Sequence, residues 1–290
     1  MTDFAPQVTS FFDEPTNTAT YVVRDPASAS CAIIDSVLDF DYAAGRITTK
    51  AADQVIDHVR AEGLDVEWVL ETHVHADHLS AAPYLQEHLG GKIGIGEEIS
   101  EVQEVFGKVF NAGTAFERDG SQFDQLFVEQ DRLQIGSLSG FVLHTPGHTP
   151  ACITYVIGDA AFVGDTLFMP DFGTARCDFP GGSARQLWHS IQKILSLPDE
   201  TRIFTCHDYK APGRDQFAWE STVGEQKARN KHIGGEATED TFVEMREARD
   251  ATLSMPRLII PSIQVNMNAG NLPGPEDNGK VYLKIPINSL

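Results

Sequence analysis

Apolar positions along this chain fall into short strand-like runs that take turns with stretches of helical spacing. Thr20-Tyr21-Val22-Val23 and Cys31-Ala32-Ile33-Ile34-Asp35 read as strands. Thr49 then stands where a helix cap belongs, with Ala52, Val55, Ile56 and Val59 on one face and Gly63 closing the segment. Val66–Leu70 reads as the next strand, and a helix is predicted from Leu79 to Leu89, stopped by Gly90-Gly91. Lys92–Ile95 reads as a strand again. Strand alternating with helix implies helices packed on a sheet.

The second half begins with strands. Leu133, Ile135 and Leu138, then Phe141 and Leu143, suggest neighbours in a sheet. Ile153–Ile157 and Ala160–Val163 predict a hairpin closed at Gly158-Asp159. Ser183-x-x-Gln186 has the form of a capping box ahead of Leu187, Trp188, Ile191, Ile194 and Leu195. Arg202–Cys206 is strand-like. The tail offers one helix, Thr241 to Leu253, then apolar runs at Leu258–Val265 and Val281–Leu283 that read as strands. No repeat and no linker interrupts this order. The expectation is an α/β (α+β) fold of the αββα sandwich kind, two mixed sheets face to face with helices outside. A single domain over residues 1–290 is expected, with a C-terminal extension from about 211 to 290.

Composition narrows the partners. The 290 residues are 41% hydrophobic, enough for a sizeable core, and carry 42 acidic against 22 basic side chains for a net charge of −20. Nucleic acid and anionic membrane both need a basic footprint, so neither is expected. An anionic small molecule stays admissible if a few basic residues converge on it. Met1–Pro6 shows no basic leader, and no apolar run is long enough to span a bilayer. Four scattered cysteines without a C-x-x-C pair suit a reducing compartment, which makes the cytoplasm the expected location. Cys152 and Cys206 sit in apolar runs as core residues, while Cys177, in a glycine-rich loop, is a candidate reactive thiol. Oligomeric state is open, a homodimer included.

The chemistry concentrates in Thr72-His73-Val74-His75-Ala76-Asp77-His78, three imidazoles and a carboxylate directly after a strand. Gly147-His148-Thr149, Gly164-Asp165-Thr166 and Cys206-His207-Asp208-Tyr209 follow, each at the end of an apolar run. Imidazole and carboxylate together suit zinc and iron. Recurrence at four strand ends points to one metal centre at a shared sheet edge.

In the order H-x-H-x-D-H, G-H-T, G-D-T and H-D-Y, the chain resembles the metallo-β-lactamase superfamily from about Thr20 to Tyr209. Gly164-Asp165-Thr166-Leu167-Phe168, Arg176-Cys177-Asp178-Phe179 and His207-Asp208-Tyr209 resemble its persulfide dioxygenase branch, as does the tail segment Asn271-Leu272-Pro273-x-Pro275. That resemblance implies one Fe(II) per chain on His73, His148 and Asp165, a facial triad with positions open for a persulfide sulfur and O2. It implies glutathione persulfide as substrate, oxidised to sulfite and glutathione. His75, Asp77, His78 and His207 are implied as residues around that site, or as holders of a second metal. Arg176, Tyr209, Lys210 and Arg214 are the candidate residues for the substrate carboxylates, and Asp178 is expected to brace Arg176. The alternative is a glyoxalase II-like thioester hydrolase with two metals, zinc among them. That relative has a helical C-terminal region with basic residues, whereas the tail here reads as strand. Thr174-Ala175 stands where Cys-Gly is usual and Cys177 where threonine is common. Residues 39–52 and 110–129 read as insertions.

Overall fold

A computed structural model describes residues 5–289, so most of the expected leaderless N-terminus, Met1–Phe4, lies outside the described residues. The chain opens with β1 (Gln7–Asp13), β2 (Thr18–Arg24) and β3 (Ser30–Ile34), then a hairpin of β4 (Val37–Asp41) and β5 (Arg46–Thr48). Next come α1 (Lys50–Ala61), β6 (Asp65–Leu70), β7 (Leu79–Ser80), α2 (Ala82–Leu89), β8 (Lys92–Gly96), α3 (Ile99–Val109) and β9 (Gln125–Phe127). The second half holds β10 (Arg132–Ile135), β11 (Leu138–His144), β12 (Ile153–Ile157), β13 (Ala160–Phe162), α4 (Ala184–Leu195) and β14 (Arg202–Phe204). It ends with β15 (Glu220–Thr222), α5 (Val223–Arg229), α6 (Glu239–Asp250) and α7 (Ile259–Asn266).

Two six-stranded sheets form, ordered β1-β2-β3-β6-β8-β9 and β10-β11-β12-β13-β14-β15. Both are mixed. β3, β6, β8 and β9 run parallel, and β13 pairs parallel with β14 inside an otherwise antiparallel sheet. Side-chain alternation sorts the core into three layers. Tyr21, Val23, Ala32, Ile34 and Leu70 face Tyr155, Ile157, Phe162 and Phe204 between the sheets. On the other side of the first sheet, Val22, Ile33, Val69 and Ile93 meet Val55, Ile56 and Val59 of α1 and Leu85 of α2. Behind the second sheet, Val156, Ala161 and Ile203 meet Leu187, Ile191 and Ile194 of α4. This is the αββα sandwich expected from the sequence.

Several boundaries differ. Leu79 and Ser80 pair with Leu38 and Val37 instead of opening a helix, so α2 starts at Ala82 with Pro83 in its first turn, where a missing N–H costs nothing. Residues 39–52, which read as an insertion, hold the end of β4, all of β5 and the start of α1, and β5, β4 and β7 form a three-stranded sheet. Thr49 precedes α1 but spends its hydroxyl on Asp53, whereas Ser183 does cap α4 by accepting from the Gln186 N–H. Helix α6 begins two residues early, at Glu239, because Thr238 caps it, and it ends at Asp250.

The tail is the larger correction. Leu258–Val265 is not a strand: α7 occupies Ile259–Asn266, with seven of its eight residues buried. A helix buried all round shows no amphipathic period, so a short apolar run of this kind reads equally well as a strand. Val281–Leu283 forms no strand either, and Val281 and Tyr282 are exposed. The contrast between a strand-like tail here and a helical tail in glyoxalase II therefore falls away.

Candidate metal centre

Every metal-type residue singled out from the sequence comes to one sheet edge. β6 ends at Leu70 and delivers His73, His75, Asp77 and His78 in the following turn. The loop after β11 delivers His148, the turn after β13 delivers Asp165, and β14 leads to His207. Glycine makes two of these placements possible. Gly164 has φ +52°, and a side chain there would reach within 2.5 Å of Thr72 Oγ1. Gly147 has φ +139°, and a Cβ there would collide with the Leu187 backbone at the start of α4.

Two groups of imidazole and carboxylate donors form, His73–His148–Asp165 and His75–Asp77–His78–His207, the atoms of each within 4.8 Å of one another, and Cys206 adjoins both through Asp165–Cys206–His207 and Asp35–His75–Cys206. Asp165 faces both. Its Oδ2 lies 3.6 Å from His148 Nε2 and 3.9 Å from His73 Nε2, while Oδ1 is 3.4 Å from His207 Nε2. Asp77 Oδ2 is 3.1 Å from His207 Nε2.

Hydrogen bonds on the far side of each ring fix which nitrogen faces inward. His148 Nδ1 meets the Arg176 carbonyl at 2.8 Å, and a carbonyl only accepts, so Nδ1 carries the proton and Nε2 keeps its lone pair. His207 Nδ1 likewise donates to the Asn17 carbonyl. His75 is reversed: Nε2 donates to Asp35 Oδ1 and Glu71 Oε2, which leaves Nδ1 turned to the site. Among the described residues, His73 Nε2, His75 Nδ1, His78 Nε2, His207 Nε2, Asp77 Oδ2 and Asp165 Oδ1 are buried without a hydrogen-bond partner. One such atom left alone costs about 1–3 kcal/mol, so six in one small volume call for a shared partner. A divalent cation is the partner that this donor set fits.

Electrostatics agree. Burial, reinforced by His75 and His148 nearby, holds His73 well below the usual histidine range, and burial lowers His78 too. Both are thus neutral ligands-in-waiting. His75 differs: burial alone would lower it, but Asp35 and Glu71 outweigh that and raise it well above the usual range.

Asp35, Glu71 and Asn266 were not singled out from the sequence, yet they build this centre from behind. Asp35 accepts from the Thr72 N–H and hydroxyl as well as from His75. Glu71 also accepts from Ser80 Oγ. Asn266, on α7, donates to the carbonyls of His75 and His78 and accepts from the Ser80 N–H. Asp35 had a visible signal, a carboxylate closing an apolar strand. Asn266 had none, because its partners are backbone atoms 186 to 191 residues away.

A cavity of about 380 Å³ opens over the centre, lined by Asp77, His148 and Asp165, by Phe168, Phe172, Phe179 and Tyr209, and by arginines. Those arginines are Arg176, Arg246, Arg249 and Arg257. Of the residues expected to meet a substrate, Arg176 and Tyr209 line the cavity, and Asp178 braces Arg176 through two 2.6 Å contacts. Lys210 and Arg214 do not line it. Lys210 lies over the Phe217 ring, and Arg214 is held by Asp208 and Asp171, both drawn into bidentate contacts. Arg246, Arg249 and Arg257 line the cavity instead; spacing gave no hint of this, since they lie on α6 and the segment after it. Cys177 is buried, and burial pushes its thiol well above the usual range, so the expected reactive thiol is a packed core residue.

Known proteins are similar to this chain. The family description "Metallo-beta-lactamase superfamily" matches residues 13–207. A protein of Burkholderia pseudomallei described as a probable metallo-hydrolase is 58% identical, over 98% of this chain and 99% of its own length. Glyoxylase B2 of Dictyostelium discoideum is 50% identical over 94% of both chains. The chain spans 65% of the length of a beta-lactamase hydrolase-like protein of Agrobacterium fabrum, at 56% identity. The human mitochondrial persulfide dioxygenase ETHE1 is 29% identical over 89% of this chain and 87% of that one. The crystal structure of ETHE1 from Myxococcus xanthus superposes with a TM-score of 0.72 at 28% identity, covering 91% of this chain and all of that one. With the sandwich, the donor array and these likenesses together, the chain belongs to the metallo-beta-lactamase superfamily of metal-dependent enzymes.

Proposed function

We propose that this chain is an iron-dependent persulfide dioxygenase that converts glutathione persulfide, O2 and water to glutathione and sulfite. One observation carries the reading. The donor group with the larger share of the cavity wall is His73–His148–Asp165, which lines it through His148 and Asp165, whereas His75–Asp77–His78–His207 reaches it through Asp77 alone. A group of two imidazoles and one carboxylate that reaches a cavity through His148 and Asp165 leaves room for exogenous ligands on that side, as an oxygenase requires. His73, His148 and Asp165 would hold Fe(II), which would supply the redox chemistry needed to use O2.

The remaining work falls to the protein. His148 and His207 are held as Nδ1–H tautomers by the carbonyls of Arg176 and Asn17, so each presents a lone pair without rearrangement. Phe168, Phe172 and Phe179 wall the cavity with apolar surface that excludes bulk water from the sulfur. Arg249 and Arg257 give a strongly acidic chain a local cationic rim for the carboxylates of a glutathione-based substrate, while Arg176, spent on Asp178 and the Ser254 carbonyl, shapes the wall. The likeness to ETHE1 proteins in sequence and in structure supports the same assignment.

Two observations favour a second reading, a thioester hydrolase of glyoxalase II type. The group His75–Asp77–His78–His207 is a full second donor set, and the C-terminal region is helical with arginines at the cavity. Metal analysis separates the two. Protein purified without added metal is expected to carry one iron per chain, lost in His148→Ala and largely kept in His207→Ala. Two equivalents of zinc, both diminished by His207→Ala, would establish the hydrolase.

A further inference from the structure

We infer that a buried Arg246–Asp250 pair on α6 is a positioning device that sets the orientation of His148 by gripping the loop behind it. The loop Thr174–Asp178 carries no regular secondary structure, yet its backbone is fastened at successive points. Arg246 Nη1 donates to the Thr174 carbonyl at 3.1 Å, and Asp250 Oδ2 accepts from the Cys177 N–H at 2.8 Å. The two side chains are joined, Arg246 Nη2 to Asp250 Oδ1 at 2.6 Å, and they are only 1% and 5% exposed. Between the fastened residues lies Arg176, whose carbonyl accepts from His148 Nδ1 at 2.8 Å.

The consequence is a relay of fixed bonds. The helix pair holds Thr174 and Cys177, these hold the Arg176 carbonyl, and that carbonyl holds the imidazole proton on Nδ1 so that Nε2 faces Asp165. A buried ion pair of this kind is poor evidence of net stabilisation, because desolvation offsets most of its attraction. Its geometry, one Arg246 donor and one Asp250 acceptor spent on loop backbone and the other of each joining the pair, is better explained by positioning. Outer contacts to a ligand histidine typically change metal affinity about 10–100-fold when removed.

The inference rests on His148 as a metal ligand but not on which metal or reaction the enzyme uses. The test is Co(II) titration of the metal-stripped full chain, followed by its ligand-field absorption, in Asp250→Asn, Arg246→Lys, Phe242→Leu and His148→Ala. Phe242, also on α6 and buried, has an apolar side chain that can make none of the relay's hydrogen bonds and serves as a control for plain loss of helix packing. Asp250→Asn is expected to weaken Co(II) binding at least tenfold and to alter the absorption bands, Arg246→Lys to do so less. Phe242→Leu is expected to lower the melting temperature while leaving affinity within about twofold. Wild-type affinity and bands in Asp250→Asn, or an equal loss in Phe242→Leu at matched melting temperature, overturn the relay. Should Asp250→Asn fail to fold, wild-type affinity in Arg246→Lys overturns it equally. Unchanged binding in His148→Ala would instead remove His148 from the ligand set, a failure of the metal-centre reading that is separate from the relay.

Discussion

Single residues here are read more safely by what their hydrogen bonds consume than by where they stand in the chain. Arg214 illustrates this. It adjoins the His207-Asp208-Tyr209 motif, but its guanidinium is spent on Asp208, which is fully buried, and on Asp171. Removing it would leave Asp208 as an uncompensated buried charge, a loss of about 3–5 kcal/mol. Arg214→Ala should therefore lose that amount of unfolding free energy in a urea titration, and a raised KM with unchanged stability would return Arg214 to the substrate. His232 makes a second case. Its Nδ1 accepts from the Thr174 N–H and hydroxyl, so it must be neutral, and burial followed by the Arg246 charge brings it down to about 3. Because the unfolded chain takes up that proton near pH 6.5, the stability His232 contributes is complete above that pH and is lost as pH falls toward 3. His232→Asn, which keeps an acceptor in place, should be less acid-sensitive. Its melting temperature should close on the wild-type value between pH 7 and pH 4.5, and parallel curves would contradict the argument.

At the scale of elements, legibility tracked how local the determining interactions are. Strands β2, β3, β6, β12 and β13 and helices α1 and α4 announce themselves by period, and the four donor segments by their chemistry at strand ends. α7 does not, because burial on every side erases the helical stripe that would have distinguished it from a strand. The start of α2 was obscured for a different reason: Leu79 and Ser80 are claimed by β4, a pairing across about 40 residues that no local pattern encodes. The same holds for the supports of the site, since Asn266, Arg246 and Asp250 act on backbone atoms far away in sequence. Where the pattern was plain, the packing follows it. Phe162 of β13 stacks on Phe204 of β14 at 5.0 Å and meets Tyr21 across the sheets at 5.4 Å. Phe162→Ala should cost about 3–5 kcal/mol in urea unfolding, and a loss under about 1 kcal/mol would mean the two sheets repack freely.

The molecule as a whole joins a donor array shared by hydrolases and oxygenases to a cavity that is apolar on one wall and cationic on another. Its charge of −20 makes Arg249 and Arg257 at the cavity a local exception rather than part of a basic surface, since Arg176 and Arg246 are paired with Asp178 and Asp250. No helix among the described residues is long and apolar enough to cross a membrane. The C-terminal region touches both outer layers: α6 packs with α4 behind the second sheet, and α7 packs under the histidine turn. That arrangement makes the tail a structural part of the centre. What distinguishes the two reactions is electron transfer to O2, which zinc cannot support because it has no accessible second oxidation state. The most direct measurement is oxygen consumption with glutathione persulfide in an electrode chamber, run beside cleavage of S-lactoylglutathione under nitrogen. The account predicts oxygen uptake matched by sulfite formation, abolished by an iron chelator, with little thioester cleavage. Rapid anaerobic thioester hydrolysis without persulfide-dependent oxygen uptake would contradict it.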